Sequence, residues 1–408
     1  MSKRHECLSR ISGRNNQLLM AGRTAADIAT IAGNTPCYIY DREALTERVT
    51  GLIHQLPDTL KLHYAIKANP MPAVVHHMAS LVDGLDVASH KEMLTALGTG
   101  MEPQHISFAG PAKGEQELKS AVAAGIVLNV ESPLELTRLY SCYDELGIKP
   151  KVALRVNPDF ELKSSGMKMA GGPKQFGIDA EQIPAILAEL DLNRIDFQGF
   201  HIFSGSQNLN PEALIDAHNK TIALAARLAE LAPALVKHVN IGGGLGIPYF
   251  PGEQALDITP ISENLQRLMD KRPQSLKQCV FVMELGRYLV GEAGYYLCQV
   301  TDKKTSRGQT YLMTNGGLHH HLANSGNFGQ VLRKNYPVII ANRLTAETRE
   351  VVEIVGPLCT PLDIVGAKLE LPMAEVGDYI AVLQSGAYGA TASPHGFLGH
   401  PEVKELLL

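Results

Sequence analysis

The chain has no tryptophan, no cysteine pair at C-x-x-C spacing, no surplus of basic residues and no long apolar run. The missing tryptophan excludes nothing. The six cysteines, Cys7, Cys37, Cys142, Cys279, Cys298 and Cys359, are scattered, which argues against a zinc site and a disulfide scaffold and suits a reducing cytoplasm. With 37 Lys and Arg against 42 Asp and Glu, the net charge of −5 offers no positive field to nucleic acid. No stretch approaches the roughly eighteen unbroken apolar residues of a membrane helix. The opening MSKRHECLSRISGRNN lacks the apolar segment of a secretory signal. These absences predict a cytoplasmic protein with neither nucleic acid nor membrane as partner.

What is present is an ordinary globular balance, 45% apolar and 19% charged, over 408 residues. That length exceeds one ordinary compact domain unless the domain is a barrel. Between about residues 45 and 290, short β-type runs alternate with amphipathic stretches such as EQELKSAVAAG and PEALIDAHNKTIALAARLAELA. The strand candidates are 62–66, 84–89, 105–110, 127–132, 151–157, 196–203, 237–243 and 279–285. Eight strand–helix units are the number at which a parallel sheet closes into a barrel. A doubly wound open sheet would carry an early glycine-rich dinucleotide turn, which is missing. After residue 290 the strands follow one another with few helical spacers. The expected organisation is therefore an N-terminal segment (1–44), a (β/α)8 barrel (45–290) and an antiparallel β-domain (291–408). The segment TPCYIYD at 35–41 is a lone strand expected to pair with the C-terminal sheet.

Barrel chemistry collects where strands end, because the C-terminal ends converge on one face. Lys67 ends the first strand, in LHYAIKANP. A lysine desolvated at such a position becomes a nucleophile toward aldehydes such as pyridoxal phosphate, although a lysine there can also simply terminate a strand. Asp86 and Ser89 lie on the second strand, and Arg155 and Asn157 end the fifth. Phe203 to Gln207 follow the sixth, Gly242-Gly243-Gly244 the seventh, and Glu284-Leu285-Gly286-Arg287 the eighth. A glycine run after the seventh strand with an arginine after the eighth suits a phosphate site.

YAIKANP around Lys67, LDVASHKE at 85–92, RVNP at 155–158, GSQ at 205–207 and GGGLG at 242–246 occur in that order. ELGR at 284–287, GPLC at 356–359 and SGAYG at 385–389 continue the series. Over essentially its whole length the chain resembles the fold-type III pyridoxal-phosphate decarboxylases, the diaminopimelate, ornithine and arginine decarboxylases related to alanine racemase. SGMKMAGGPKQFGID (165–179), ELGRYLVGEAG (284–294), GGLHHHLANSGNFGQ (316–330) and GPLCTPLDIV (356–365) look like the exosortase-A-system-associated subgroup. The KMAGG, QNLN and CTP segments are similar to a decarboxylase of butirosin biosynthesis that acts on a carrier-linked glutamyl group.

The resemblance implies that Lys67 carries the cofactor and that Glu284 faces its pyridine nitrogen. Arg287, Ser206, Gly243, Gly244 and Tyr388 would hold the phosphate, beside Gly286, with Arg155 a nearby cation. Asp86 and Glu92 are either carboxylates of a network near Lys67 or helix caps. A lone cysteine is usually inert. In this family, however, the cysteine of GPLC reaches the neighbouring subunit's site and returns a proton after carbon dioxide leaves. That assigns catalysis to Lys67 and Cys359 and requires a homodimer.

Three departures from the family pattern matter. Phe203 stands where a histidine usually stacks on the ring, while His201 matches a histidine two places earlier; phenylalanine still stacks but neither hydrogen-bonds nor titrates. Thr360 follows Cys359 where decarboxylases of basic amino acids place an acid for the substrate's distal ammonium. A neutral hydroxyl cannot compensate a buried cation, so the far end of the substrate is not expected to be lysine-like. His319-His320-His321 replaces a GMND-type segment; alternate strand residues share a face and no acid accompanies them, so polar pocket or interface residues are expected rather than a metal site. Arg333 and Tyr336 are either substrate-carboxylate contacts, together with Arg287, Thr360 and Tyr388, or an exposed loop pair. The expected activity is α-decarboxylation of an amino acid or conjugate, free or attached to an acyl carrier protein. Diaminopimelate decarboxylation proper, racemisation on the same fold and a silent regulatory homologue are the alternatives. Thr360 argues against diaminopimelate. The GPLC cysteine argues against racemisation, and the retained cofactor residues argue against a silent homologue.

Overall fold

The computed structural model describes residues 5–9, 11–161, 167–168, 171–328, 330 and 333–408. Part of the 165–179 motif, residues 165–166 and 169–170, lies outside the described residues, as does Gly329 of the histidine motif. The chain forms two compact units, one of residues 48–247 and 256–289, the other of residues 1–47, 248–255 and 290–408. Assignment of 248–255 to the second unit is a feature that strand and helix periodicity does not signal.

In the first unit, eight parallel strands run Leu60–Ala65, Gly84–Val87, Ile106–Phe108, Val127–Val130, Lys151–Asn157, Asp196–Ile202, His238–Asn240 and Val280–Leu285. Each pairs with the next, and Val280–Leu285 pairs back onto Leu60–Ala65 to close the barrel. These strands are buried on both faces, which is why they read as near-continuous apolar runs. The helices between them begin where capping chemistry permits. Ser89, Ser132 and Asn210 accept the N–H groups of Glu92, Glu135 and Ala213, and prolines 72, 133 and 211 open helices where no N–H is needed. Gly125 and Gly147 end helices in the left-handed conformation, with φ of 76° and 67°.

The ends of the third, fourth and fifth strands are tied by buried charge. Lys113 Nζ pairs with Glu135 at 2.7 Å and donates to the carbonyls of Gly110 and Asn129 at 2.7 and 2.9 Å. Arg155 pairs with Glu131 at 2.7 Å, and Glu131 also accepts the N–H groups of Gly110 and Gly177. Burial would raise the Glu131 pKa, but the Arg155 and Lys113 charges and these hydrogen bonds hold it below the usual value.

The second unit is a β-sheet domain. Its sheet runs Val338–Ile340, Tyr379–Val382, Gly294–Ser306, Gln309–Thr314, Arg349–Val355 and Ile364–Pro372. The lone strand Cys37–Tyr40 does pair with this sheet, antiparallel to Gly294–Ser306 and parallel to Lys404–Leu407. The sheet is mixed rather than wholly antiparallel, because Gln309–Thr314 also runs parallel to Arg349–Val355. A connection of more than thirty residues between those two strands gives the chain room to return in the same direction. Leu18, Met20, Ile28, Cys37, Ile39, Leu297 and Leu383 build its core.

Lys113→Met leaves the Glu135 carboxylate buried without its cation. The expected loss is about 3–5 kcal/mol of unfolding free energy, read from urea denaturation; an unchanged midpoint would show that the pair does not tie the strand ends.

Candidate active site

The first barrel strand passes into a 3-10 turn, Ile66–Ala68, anchored by Tyr64 Oη donating to the Asn69 carbonyl at 2.8 Å. This turn carries Lys67 to the barrel mouth. Its side chain is 42% exposed, so the sequence expectation of a lysine desolvated by a packed interior is not met in this chain. The ammonium lies 3.9 Å from Glu284 Oε1 and 5.5 Å from the centre of the Phe203 ring. Phe203 thus flanks Lys67 as an apolar face.

Glu284 is buried beside the first strand, in register with His63. Its Oε2 accepts from His201 Nε2 at 3.1 Å and from Asn240 Nδ2 at 3.4 Å. Burial alone would raise its pKa. The His201 hydrogen bond and the charges of Lys67, His201 and Arg155 prevail and hold the carboxyl well below the usual carboxylate range. Asn240 also accepts the Gly242 N–H at 2.8 Å, joining this carboxylate to the glycine loop.

That loop cannot carry side chains. A Cβ at Gly243 would sit 2.2 Å from the Glu284 carbonyl oxygen and 2.4 Å from Leu285 Cδ2. Gly242 and Gly244 flank it with φ of 69° and 86°. The segment holding Ser206 lies alongside. Asn208 N–H donates to Gly244 O and Gly246 N–H to Asn208 O, both at 2.9 Å, while the Gln207 amide bonds both backbone groups of Ile247. Gly286 approaches the lysine turn closely, since a Cβ there would lie 2.9 Å from Ala68 Cβ. Arg287 follows it, half-buried, at the start of the short helix Arg287–Val290. An amine, a buried anionic carboxylate, an apolar ring and a glycine loop with a hydroxyl and a guanidinium share this mouth. Such a donor set fits pyridoxal phosphate: a carboxylate for a protonated ring nitrogen, backbone N–H groups and a cation for a phosphate.

The two acids left open by sequence separate clearly. Asp86 belongs to a buried network: its Oδ1 meets His63 Nδ1 at 3.2 Å and accepts from Ser107 Oγ, which in turn accepts from Asn129 Nδ2 at 3.1 Å. Glu92 caps the helix, its carboxylate accepting the Ala88 N–H at 2.7 Å, and it also feels the Lys67 charge. Arg155 is committed to Glu131, with the Phe176 ring 5.0 Å from its guanidinium. Sequence reasoning gave no role to His63, Ser107 or Asn240; a polar residue at an inward position of an otherwise apolar parallel strand was the available signal.

The β-sheet unit holds the other predicted residues. Cys359 is exposed, whereas burial pushes the thiols of Cys37, Cys279 and Cys298 up to about 12. The turn that presents it is fixed by Asp363, whose two oxygens accept the N–H groups of Leu318 at 2.6 Å and Leu358 at 2.8 Å. Thr360 is half-buried there. Arg333 is braced by the Ser325 carbonyl at 3.1 Å and Asn335 Oδ1 at 2.7 Å. Tyr336 is buried against the rings of Tyr249, Phe250 and His321, and Tyr388 is half-buried with the Phe328 ring 6.4 Å away. Arg333 and Tyr336 are therefore not an exposed loop pair. The three histidines are buried at a turn rather than along a strand: the His319 and His320 rings lie 3.7 Å apart, His320 bonds the Pro401 carbonyl and His321 the Ser385 hydroxyl. Burial drives their pKa values down to between about 3 and about 4. Among the described residues no group of three or more histidine, cysteine or acidic side chains could hold a metal ion, and no helix is long and apolar enough to cross a membrane.

Known proteins similar to this chain are decarboxylases. An L-glutamyl-BtrI acyl-carrier protein decarboxylase from Niallia circulans is 36% identical over 91% of this chain and 88% of its own length. A 2-[(L-alanin-3-ylcarbamoyl)methyl]-2-hydroxybutanedioate decarboxylase from Staphylococcus aureus is 30% identical over 91% of this chain and 93% of its own. The crystal structure of diaminopimelate decarboxylase from M. jannaschii in complex with L-lysine superposes with a TM-score of 0.86 and 26% identity, covering 98% of this chain and 92% of that one. Residues 42–291 match the pyridoxal binding domain of pyridoxal-dependent decarboxylases, and the chain belongs to this decarboxylase family.

Proposed function

We propose that this pyridoxal-phosphate-dependent decarboxylase acts on an amino acid whose far end is acidic, neutral or conjugated, with Lys67 holding the cofactor and Cys359 donating a proton. Bound pyridoxal phosphate supplies the electron sink for the bond from which carbon dioxide leaves. Glu284 is the group that keeps the ring nitrogen protonated, itself kept anionic by His201, Asn240 and Lys67. Ser206, Gly243, Gly244 and Arg287 bind the phosphate, and Phe203 packs on the ring and excludes water. Cys359, exposed on its turn, completes the site of a second subunit in a homodimer and returns the proton to the substrate carbon.

The observation that carries the substrate reading is the segment Cys359–Asp363. Thr360 offers no charge, and both oxygens of Asp363 are already taken by backbone N–H groups. This segment therefore presents no carboxylate for a distal ammonium. The relatives from Niallia circulans and Staphylococcus aureus, whose names specify a carrier-linked glutamyl group and an amino-acid conjugate, favour the same reading. A carbon dioxide release screen over free amino acids and carrier-linked aminoacyl groups tests it.

In that screen, lysine, ornithine and meso-diaminopimelate are expected to turn over weakly or not at all. An unpaired buried charge costs ~3–5 kcal/mol, which at ~1.4 kcal/mol per tenfold is roughly a hundredfold or more in specificity. Efficient turnover of any of the three would overturn the substrate reading.

Purified protein incubated with pyridoxal phosphate should absorb in the visible, and borohydride should fix the cofactor to the peptide containing Lys67. A colourless, unlabelled protein would refute the cofactor assignment.

Cys359→Ala should slow amine release far more than it weakens cofactor binding. Mixed with Lys67→Ala it should regain activity, because a mixed dimer contains one site with both native groups. Absence of rescue despite demonstrated subunit exchange would remove Cys359 from the partner's site.

A further inference from the structure

Below the barrel mouth, one layer deeper than Lys67, the cofactor reading assigns nothing to a histidine that the structure accommodates with care. His63 lies on the first strand, 9% exposed, between Gly84 of the second strand and Glu284 of the eighth. Its ring occupies the space a side chain at position 84 would fill: a Cβ on Gly84 would sit 2.3 Å from His63 Nε2. From there Nδ1 reaches Asp86 Oδ1 at 3.2 Å. The same oxygen accepts the Ser107 hydroxyl, itself fixed by Asn129. Asp86 is 6% exposed, and its second oxygen, Oδ2, is buried without a hydrogen-bond partner among the described residues.

A carboxylate so placed is costly unless a cation faces it and its lone pairs are used. One oxygen is saturated by His63 and Ser107; the other has no donor among the described residues. We propose that His63 is a positioning residue for cofactor binding: its ring, wedged against Gly84 and bonded to Asp86 Oδ1, keeps that carboxylate turned so that Oδ2 accepts from a donor on the cofactor or on the amine that carries it. This rests on the pyridoxal-phosphate reading of the mouth above.

The groups around the imidazole agree with a charged ring. Asp86 and Asp83 face it from the second strand and the turn before it, and Glu284 faces it from the eighth. His238 and His201 lie on the seventh and sixth strands, and Lys67 stands on the turn that follows the strand of His63. Burial opposes the imidazolium, but the Asp86 charge and hydrogen bond, with Glu284 and Asp83, outweigh it and raise the His63 pKa above the ordinary value. His238, without such a carboxylate, is driven down to about 4 by burial and by repulsion from His63 and His201.

Two measurements test the proposal. In the full-length apoprotein, nitrogen NMR of labelled histidine should show His63 carrying a hydrogen-bonded proton on Nδ1, and Asp86→Asn should shift that signal. The second compares dissociation constants for pyridoxal phosphate. His63→Leu leaves Asp86 without this donor and should weaken binding by about tenfold, whereas His63→Gln, which keeps a donor, should recover most of the loss. In the Asp86→Asn background His63→Leu should cost nothing further. Wild-type binding by His63→Leu, or the same His63→Leu loss in the Asp86→Asn background, overturns the proposal; a space-filling histidine would give the second. A chain that never binds the cofactor would instead sink the reading of the mouth, and the apoprotein spectrum separates the two failures.

Discussion

A carboxylate taken out of water must recover its lost hydration from hydrogen bonds and opposite charge, or it takes up a proton. Glu284 recovers it from three strands at once. His201 comes from the sixth, Asn240 from the seventh and Lys67 from the turn after the first. The seventh strand is the eighth's neighbour and the sixth one removed by chain order, while the first lies beside the eighth only because the sheet closes on itself. Closure is therefore what brings Lys67 to Glu284. Pairing of the seventh and eighth strands brings the glycine loop against the Glu284 backbone so tightly that no Cβ fits at Gly243.

The remaining buried charges of the barrel follow the same rule on its other side. Lys113, Glu135, Glu131 and Arg155 pair off between the third and fifth strands, and His63 with Asp86 occupies the first and second. In each of these pairs opposite charges are matched locally. In the β-sheet unit Asp363 solves the problem differently, with two backbone N–H groups and no cation. Its consequence is mechanical: the turn bearing Cys359 is held from both sides by one side chain.

Periodicity alone located all eight barrel strands, because parallel strands buried on both faces leave short apolar runs between capped helices. Cys37–Tyr40 was legible as a strand without a local partner, and its partner was the distant sheet. The parallel pairing of Gln309–Thr314 with Arg349–Val355 was not legible, since the direction of a strand leaves no mark in its alternation. Lys67, Glu284 and the glycine loop announced themselves by position at strand ends. Their supports did not. His63, Asn240 and Asp363 act through contacts to residues 23, 44 and 45 positions away, and local pattern holds no record of such distances. Asp86 and Glu92 read alike in sequence and separate only in space, one in a buried network and the other on a helix cap.

The strand Cys37–Tyr40 has a place between two partners, one at 294–306 and one at 404–407. Every strand of the barrel, by contrast, lies between residues 60 and 285. A chain made from its N-terminus therefore completes the barrel while its earliest sheet strand still waits with both edges open. The sheet unit closes last, when residues beyond 400 arrive and Tyr40 donates to Glu405 at 2.6 Å. Those residues are a latch: they shut an exposed strand edge of the kind that recruits other chains, and they do so only after the catalytic half of the molecule has been made.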